Sequence, residues 1–136
     1  MEAGSVQSPD SRIRGVKTVL VIEDEELNLK LVTLMLTREG FNGMSASSAE
    51  AGMKLLLQER PDVILMDIRL GGMDGLEATR RIKEDPVFAP IPVVGVSAYA
   101  MEEDLERASQ AGCSAYLTKP FSKRQLVETL RRCTGT

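Results

Sequence analysis

The chain has 136 residues, 43% apolar and 27% charged, with a net charge of −3; that is enough for one buried core, too little for two, and lacks the basic excess of a protein that neutralises DNA phosphates. No histidine is present, and Cys113 and Cys133 have no CxxC spacing, which excludes a zinc site, Ser-His-Asp hydrolysis, a thiol-imidazole nucleophile and an internal phosphohistidine. No apolar run approaches the ~20 residues that cross a bilayer. Residues 1–15 (MEAGSVQSPDSRIRG) lack the apolar region of a signal peptide. The expectation is a cytoplasmic protein with a flexible tail over 1–15 and one domain over 16–136, binding neither membrane nor nucleic acid directly.

In chain order, Val19 to Ile22 is a continuous run of β-forming residues. Leu27, Leu31 and Leu34, spaced i, i+4 and i+7, then predict the buried stripe of a helix ended by Gly40. A weaker strand is expected near Met44 to Ala46. Ser47-Ser48-Ala49-Glu50 reads as a capping box opening a helix that runs to Arg60, before Pro61 stops it. Val63-Ile64-Leu65-Met66 predicts the third strand. A loop with Gly71, Gly72 and Gly75 follows, then a short helix from Leu76 to Glu84, ending before Asp85-Pro86. The fourth strand is expected over Ile91 to Val96. Met101, Leu105 and Ala108 mark the next helix, closed by Gly112, and Ala115-Tyr116-Leu117 is a fifth strand. Ser122 to Gln125 is a second capping-box pattern, opening a last helix with Leu126, Leu130 and Cys133 on one face. The methionines Met53, Met66, Met73 and Met101 are expected to pack in the interior. Five strands alternating with five helices, the stronger strands apolar on both faces, predict a doubly wound α/β domain: a parallel sheet with helices on both sides.

In such a fold the site lies outside the carboxyl ends of the strands. Strand 1 ends in Glu23-Asp24, strand 3 in Asp67, strand 4 in Ser97-Ala98 and strand 5 in Lys119-Pro120. Three carboxylates brought together repel one another unless a cation sits among them. With only oxygen ligands on offer, a hard ion such as Mg²⁺ is favoured over zinc or copper. Mg²⁺ and Lys119 together balance the three acids, which leaves room for one phosphoryl group held by the metal, Lys119 and Ser97. Asp67 would then be the nucleophile, forming an aspartyl-phosphate.

The motifs VLVIEDEE, ILMDIRL followed by MDGLEATRRI, PVVGVSA and AYLTKPF resemble the receiver domain of bacterial two-component response regulators across residues 17 to 133. That resemblance implies the flavodoxin-like strand order 2-1-3-4-5, for which the family is a standard example. By position it makes Asp67 the phosphoacceptor, Asp24 a direct Mg²⁺ ligand, Glu23 a partner acting largely through water, and the backbone carbonyl of Arg69 a further ligand. Ser97 becomes the switch hydroxyl, Lys119 the phosphate-contacting cation and Tyr116 the aromatic switch residue of a face made by helix 4, strand 5 and helix 5. Arg69 and Tyr99 take positions that modulate water access and phosphate lifetime, and the Lys119-Pro120 bond is expected to be cis. Gly71-Gly72 stands where the family usually has a proline-containing loop, so a more mobile loop is expected there.

The implied partners are a sensor histidine kinase or histidine phosphotransfer protein upstream and a protein partner downstream. Only 17 residues follow Lys119 (136 − 119 = 17), so a stand-alone receiver is expected, similar to single-domain cell-division regulators. A receiver excised from a hybrid kinase is the alternative. A phosphohydrolase with an aspartyl-phosphate intermediate would need an acid two residues after the nucleophile, where this chain has Arg69. A nucleotide or flavin binder would need glycines in the turn after strand 1, which reads EDEELN.

Overall fold

A computed structural model of the chain describes residues 15–70, 73–99 and 101–135. All of the expected tail except Gly15, and the Gly71-Gly72 pair, lie outside the described residues. The elements alternate as β1 (Thr18–Ile22), α1 (Glu26–Arg38), β2 (Asn42–Ala46), α2 (Ala49–Gln58), β3 (Val63–Asp67), α3 (Gly75–Glu84), β4 (Val93–Ser97), α4 (Glu102–Ala111), β5 (Ala115–Thr118) and α5 (Lys123–Thr134). The strands form one parallel sheet in the order β2-β1-β3-β4-β5. Order reverses between β1 and β3, so the crevice of a doubly wound sheet falls at their carboxyl ends.

Every residue of β1, β3 and β4 is buried, because helices cover both faces of the sheet. On one face Leu20, Ile22, Ile64 and Met66 pack against Leu56 of α2 and Ala78 and Ile82 of α3. On the other, Val19, Val21, Leu65 and Val94 pack against Leu36 of α1 and Leu126 and Leu130 of α5. No helix among the described residues is long and apolar enough to cross a membrane.

The helix faces correct several expectations. Leu27, Leu31 and Leu34 are 63%, 50% and 48% exposed, while Leu29, Val32, Met35 and Leu36 turn to the core. The segment ELNLKLVTLMLTR carries two stripes of nearly equal spacing, and periodicity alone cannot choose between them. Met101 and Leu105 are likewise exposed, at 60% and 41%, leaving Ala108 and Ala111 as the buried residues of α4. Met66 is in the core, and Met53 and Met73 pack against it, as expected.

Ends shift by a residue or two. Helix α2 stops at Gln58, because Glu59 is already extended, and β4 begins at Val93 rather than Ile91. The box at Ser47 does not form: Ser48 is the cap, accepting from Ala51 N–H at 3.0 Å, and Glu50 instead accepts from Met73 N–H at 3.3 Å. The box at Ser122 does form, with Ser122 and Gln125 each bonding the other's backbone.

Candidate functional site

Parallel register aligns the strand ends in a row. Ile22 pairs with Met66, Asp67 with Val96, and Ser97 with Thr118. Glu23, Asp67, Ser97 and Lys119 therefore leave the sheet side by side along its carboxyl edge, brought from four elements of the chain. Buried strands hold these groups in place: Glu23, Asp67 and Ser97 are 5%, 6% and 2% exposed.

One oxygen from each of Glu23, Asp24 and Asp67 lies within 4.8 Å of the others. Asp67 Oδ1 accepts from Arg69 N–H at 3.0 Å, and Lys119 Nζ stands 3.5 Å from the same carboxylate. Lys119 Nζ donates to Glu23 Oε1 at 2.8 Å, and Glu23 Oε2 accepts from Glu25 N–H at 3.0 Å. Burial pushes the Asp67 carboxyl up to about 6, aided by the Glu23 charge and opposed by the Arg69 N–H and by Lys119. For Lys119, burial works to lower its affinity for protons, but the Glu23 and Asp67 carboxylates together raise it above the ordinary value. A carboxyl whose proton affinity is raised by burial and by a neighbouring carboxylate is a group that a cation would relieve. With an all-oxygen donor set, these residues fit a hard divalent ion.

On the other flank, Ser97 Oγ accepts from Tyr99 N–H at 3.2 Å, and Tyr116 OH donates to the Tyr99 carbonyl at 2.8 Å. The Arg69 guanidinium lies 4.4 Å over the Tyr99 ring. Glu23, Asp24, Asp67, Arg69, Tyr99 and Lys119 all line one cleft of about 280 Å³, open to solvent above the carboxylates. Ser97 and Tyr116 line a neighbouring cleft beside α4, with Arg69 common to both. The Lys119-Pro120 peptide is cis, as expected.

Two glycines complete the site and carried no functional signal in the sequence. A Cβ on Gly75 would stand 2.2 Å from the Asp67 carbonyl oxygen, so only glycine lets α3 start directly against the end of β3. A Cβ on Gly95 would meet Ile68, Cys113 and the Tyr116 ring at 3.2 to 3.3 Å, so the aromatic ring sits on the sheet because β4 is bare there. The Gly75 contact spans eight residues and the Gly95 contacts join separate elements, so both come from packing rather than from the residues next to each glycine.

This fold, with three acids and a lysine on the carboxyl edge, defines a receiver-type signalling domain. The response regulator receiver domain family matches residues 19–131, and the chain belongs to that family. It is 40% identical over 119 residues to the polar-differentiation response regulator DivK of Brucella anthropi, covering 88% of this chain and 97% of that protein. The receiver domain of a sensor histidine kinase from Pseudomonas aeruginosa PAO1, solved with a magnesium ion coordinated in the active site cleft, is 31% identical with a TM-score of 0.82, over 89% of this chain and 99% of that one. The fold is also that of the chemotaxis protein CheY4 of Vibrio cholerae, at 22% identity and a TM-score of 0.83, over 87% of this chain and 98% of that one. The expected likeness to single-domain cell-division regulators thus meets a DivK relative, and the expected strand order and class are the observed ones.

Proposed function

We propose that Asp67 accepts a phosphoryl group from a phosphohistidine on a sensor kinase or phosphotransfer protein in the cytoplasm, in a Mg²⁺-dependent reaction. The observation that carries this reading is the position of Asp67: buried, fixed by β3, and within reach of both the β1 acids and Lys119. An Asp67 Oδ–P bond forms as the N–P bond of the donor breaks, and the electron pair stays on the imidazole. Asp24, Asp67 and the Arg69 carbonyl would hold Mg²⁺, with Glu23 acting through water. When bound, the ion supplies charge neutralisation between carboxylate and incoming phosphoryl oxygens. Lys119 contacts a second phosphoryl oxygen, and Ser97 donates to a third once its hydroxyl turns from Tyr99 N–H. Tyr116, bonded to the Tyr99 carbonyl, then reports the move on the face of α4, β5 and α5. Arg69 and Tyr99, stacked over the cleft, set how readily water reaches the acyl phosphate.

A groove of about 500 Å³ runs from Asp67 between α1 and Phe121, lined by Leu31, Val32 and Met35; it gives a donor protein an apolar surface beside the acceptor. Arg69 at the position where a phosphohydrolase needs an acid supports a phosphoacceptor over an enzyme with turnover. A second reading, a receiver that belongs to a hybrid histidine kinase, is favoured by the likeness to the Pseudomonas kinase receiver.

Incubation with acetyl phosphate and Mg²⁺ followed by intact mass measurement tests the proposal. A single adduct of ~80 Da is expected that survives Ser97→Ala and is lost in Asp67→Asn. No adduct with any small donor or phosphohistidine protein would overturn it.

A further inference from the structure

The Lys119 ammonium pairs with two carboxylates and sits nearer the one more distant in the sheet. Its bond to Glu23, 96 residues away, is 2.8 Å, against 3.5 Å to Asp67. Strand order places β3 and β4 between β1 and β5, so the pair spans three interstrand gaps, roughly 14 Å at about 4.8 Å each. Only two long side chains can close that span. Glu23 is braced for it: its other oxygen is fixed by the Glu25 N–H at 3.0 Å, and the side chain is buried.

We propose that Glu23 is a positioning residue for Lys119, holding the ammonium closer to itself so that in the metal-free site its ion pair with Asp67 is the longer of the two and the Asp67 carboxylate is more open to the cation. An aspartate at this position has the same charge but is shorter by one C–C bond, about 1.5 Å. That would stretch the contact to about 4 Å, past the 3.5 Å that separates Lys119 from Asp67, and Asp67 would become the nearer partner. An incoming Mg²⁺ would then have to displace Lys119 from its own ligand. The length of Glu23, beyond its charge, thus sets how available Asp67 is.

This rests on the reading of Asp67 as an acceptor beside a cation, but its test needs no phosphodonor. Mg²⁺ affinity is measured by calorimetry for the wild type, Glu23→Asp, Lys119→Met and the double variant. Glu23→Asp should weaken Mg²⁺ binding at least about threefold when Lys119 is present, and leave it nearly unchanged in the Lys119→Met background, the non-additivity of groups in contact. The same factor in both backgrounds would overturn the proposal, because Glu23 would then act on the ion alone. A metal-free crystal structure of Glu23→Asp gives a second reading: Lys119 Nζ should have moved onto Asp67, and an ammonium still bonded to residue 23 would defeat the idea. A protein that binds Mg²⁺ yet never forms the phosphoryl adduct would sink the acceptor reading while leaving this cycle intact.

Discussion

The two flanks of Asp67 are built differently. Toward β1 the groups are ionic: Glu23 is 5% exposed and carries a charged partner at 2.8 Å, and the exposed Asp24 stands beside it. Toward β4 and α4 the contacts are neutral bonds and one ring stack, centred on Tyr99, which is 49% exposed. Ionic bonds in a buried setting are strong and costly to break singly, whereas a neutral hydrogen bond or an exposed cation–π contact contributes about 1 kcal/mol. The first flank is suited to hold a metal in fixed geometry and the second to rearrange when a phosphoryl group arrives.

Four substitutions or titrations test that contrast, in falling order of effect. Gly75→Ala forces apart the junction on which both flanks depend, since its Cβ would stand 2.2 Å from the Asp67 carbonyl oxygen; a loss of about 3 kcal/mol in urea unfolding is expected, with phosphorylation falling in step. Should Gly75→Ala prove neutral, the end of β3 is more pliable than the contact implies. Asp24→Asn removes a charge from the ionic flank, and calorimetry should register a drop in Mg²⁺ affinity of roughly tenfold or more.

Protonation of Asp67 separates the flanks by pH. Its carboxyl is held at about 6 against an ordinary value of 3.8, so between those values the folded chain keeps a proton that the unfolded chain has released. Metal-free stability should therefore fall as pH rises from about 4 through about 6, by on the order of 2 kcal/mol from this group. Urea titrations at pH 4.5 and pH 7 on the wild type and Asp67→Asn check the sign: the variant should gain on the wild type at the higher pH, and added Mg²⁺ should cancel that gain. An unchanged difference would remove the argument for strain at Asp67. The smallest effect is expected from Tyr99→Ala, which deletes the Arg69 stack; a few-fold change in the rate at which the phosphoryl adduct decays, with Mg²⁺ affinity unchanged, would keep the neutral flank distinct from the ionic one.

Much of the site could be read before the structure, for a local reason. Glu23-Asp24, Asp67, Ser97 and Lys119 each close an apolar run, and in a parallel sheet all carboxyl ends share one edge, so locating the runs locates the groups. Helix faces were less legible. In α1 the leucines fall on two stripes at helical spacing, and the outward one, Leu27, Leu31 and Leu34, looked as core-like as the inward one. At Ser47 and Ser48 two adjacent hydroxyls compete for one cap, and Ser48 wins because the helix starts at Ala49.

The sequence by itself determined the five apolar strands, the punctuation that separates them from their helices, and the set of oxygen and amine groups that the carboxyl edge receives, because each is written in a few adjacent residues. Tertiary structure alone decided which stripe of α1 faces the sheet, that Gly75 and Gly95 must lack side chains, and that Lys119 pairs with Glu23 before Asp67. These depend on how elements pack and on distances across the sheet, which the strand order and register set.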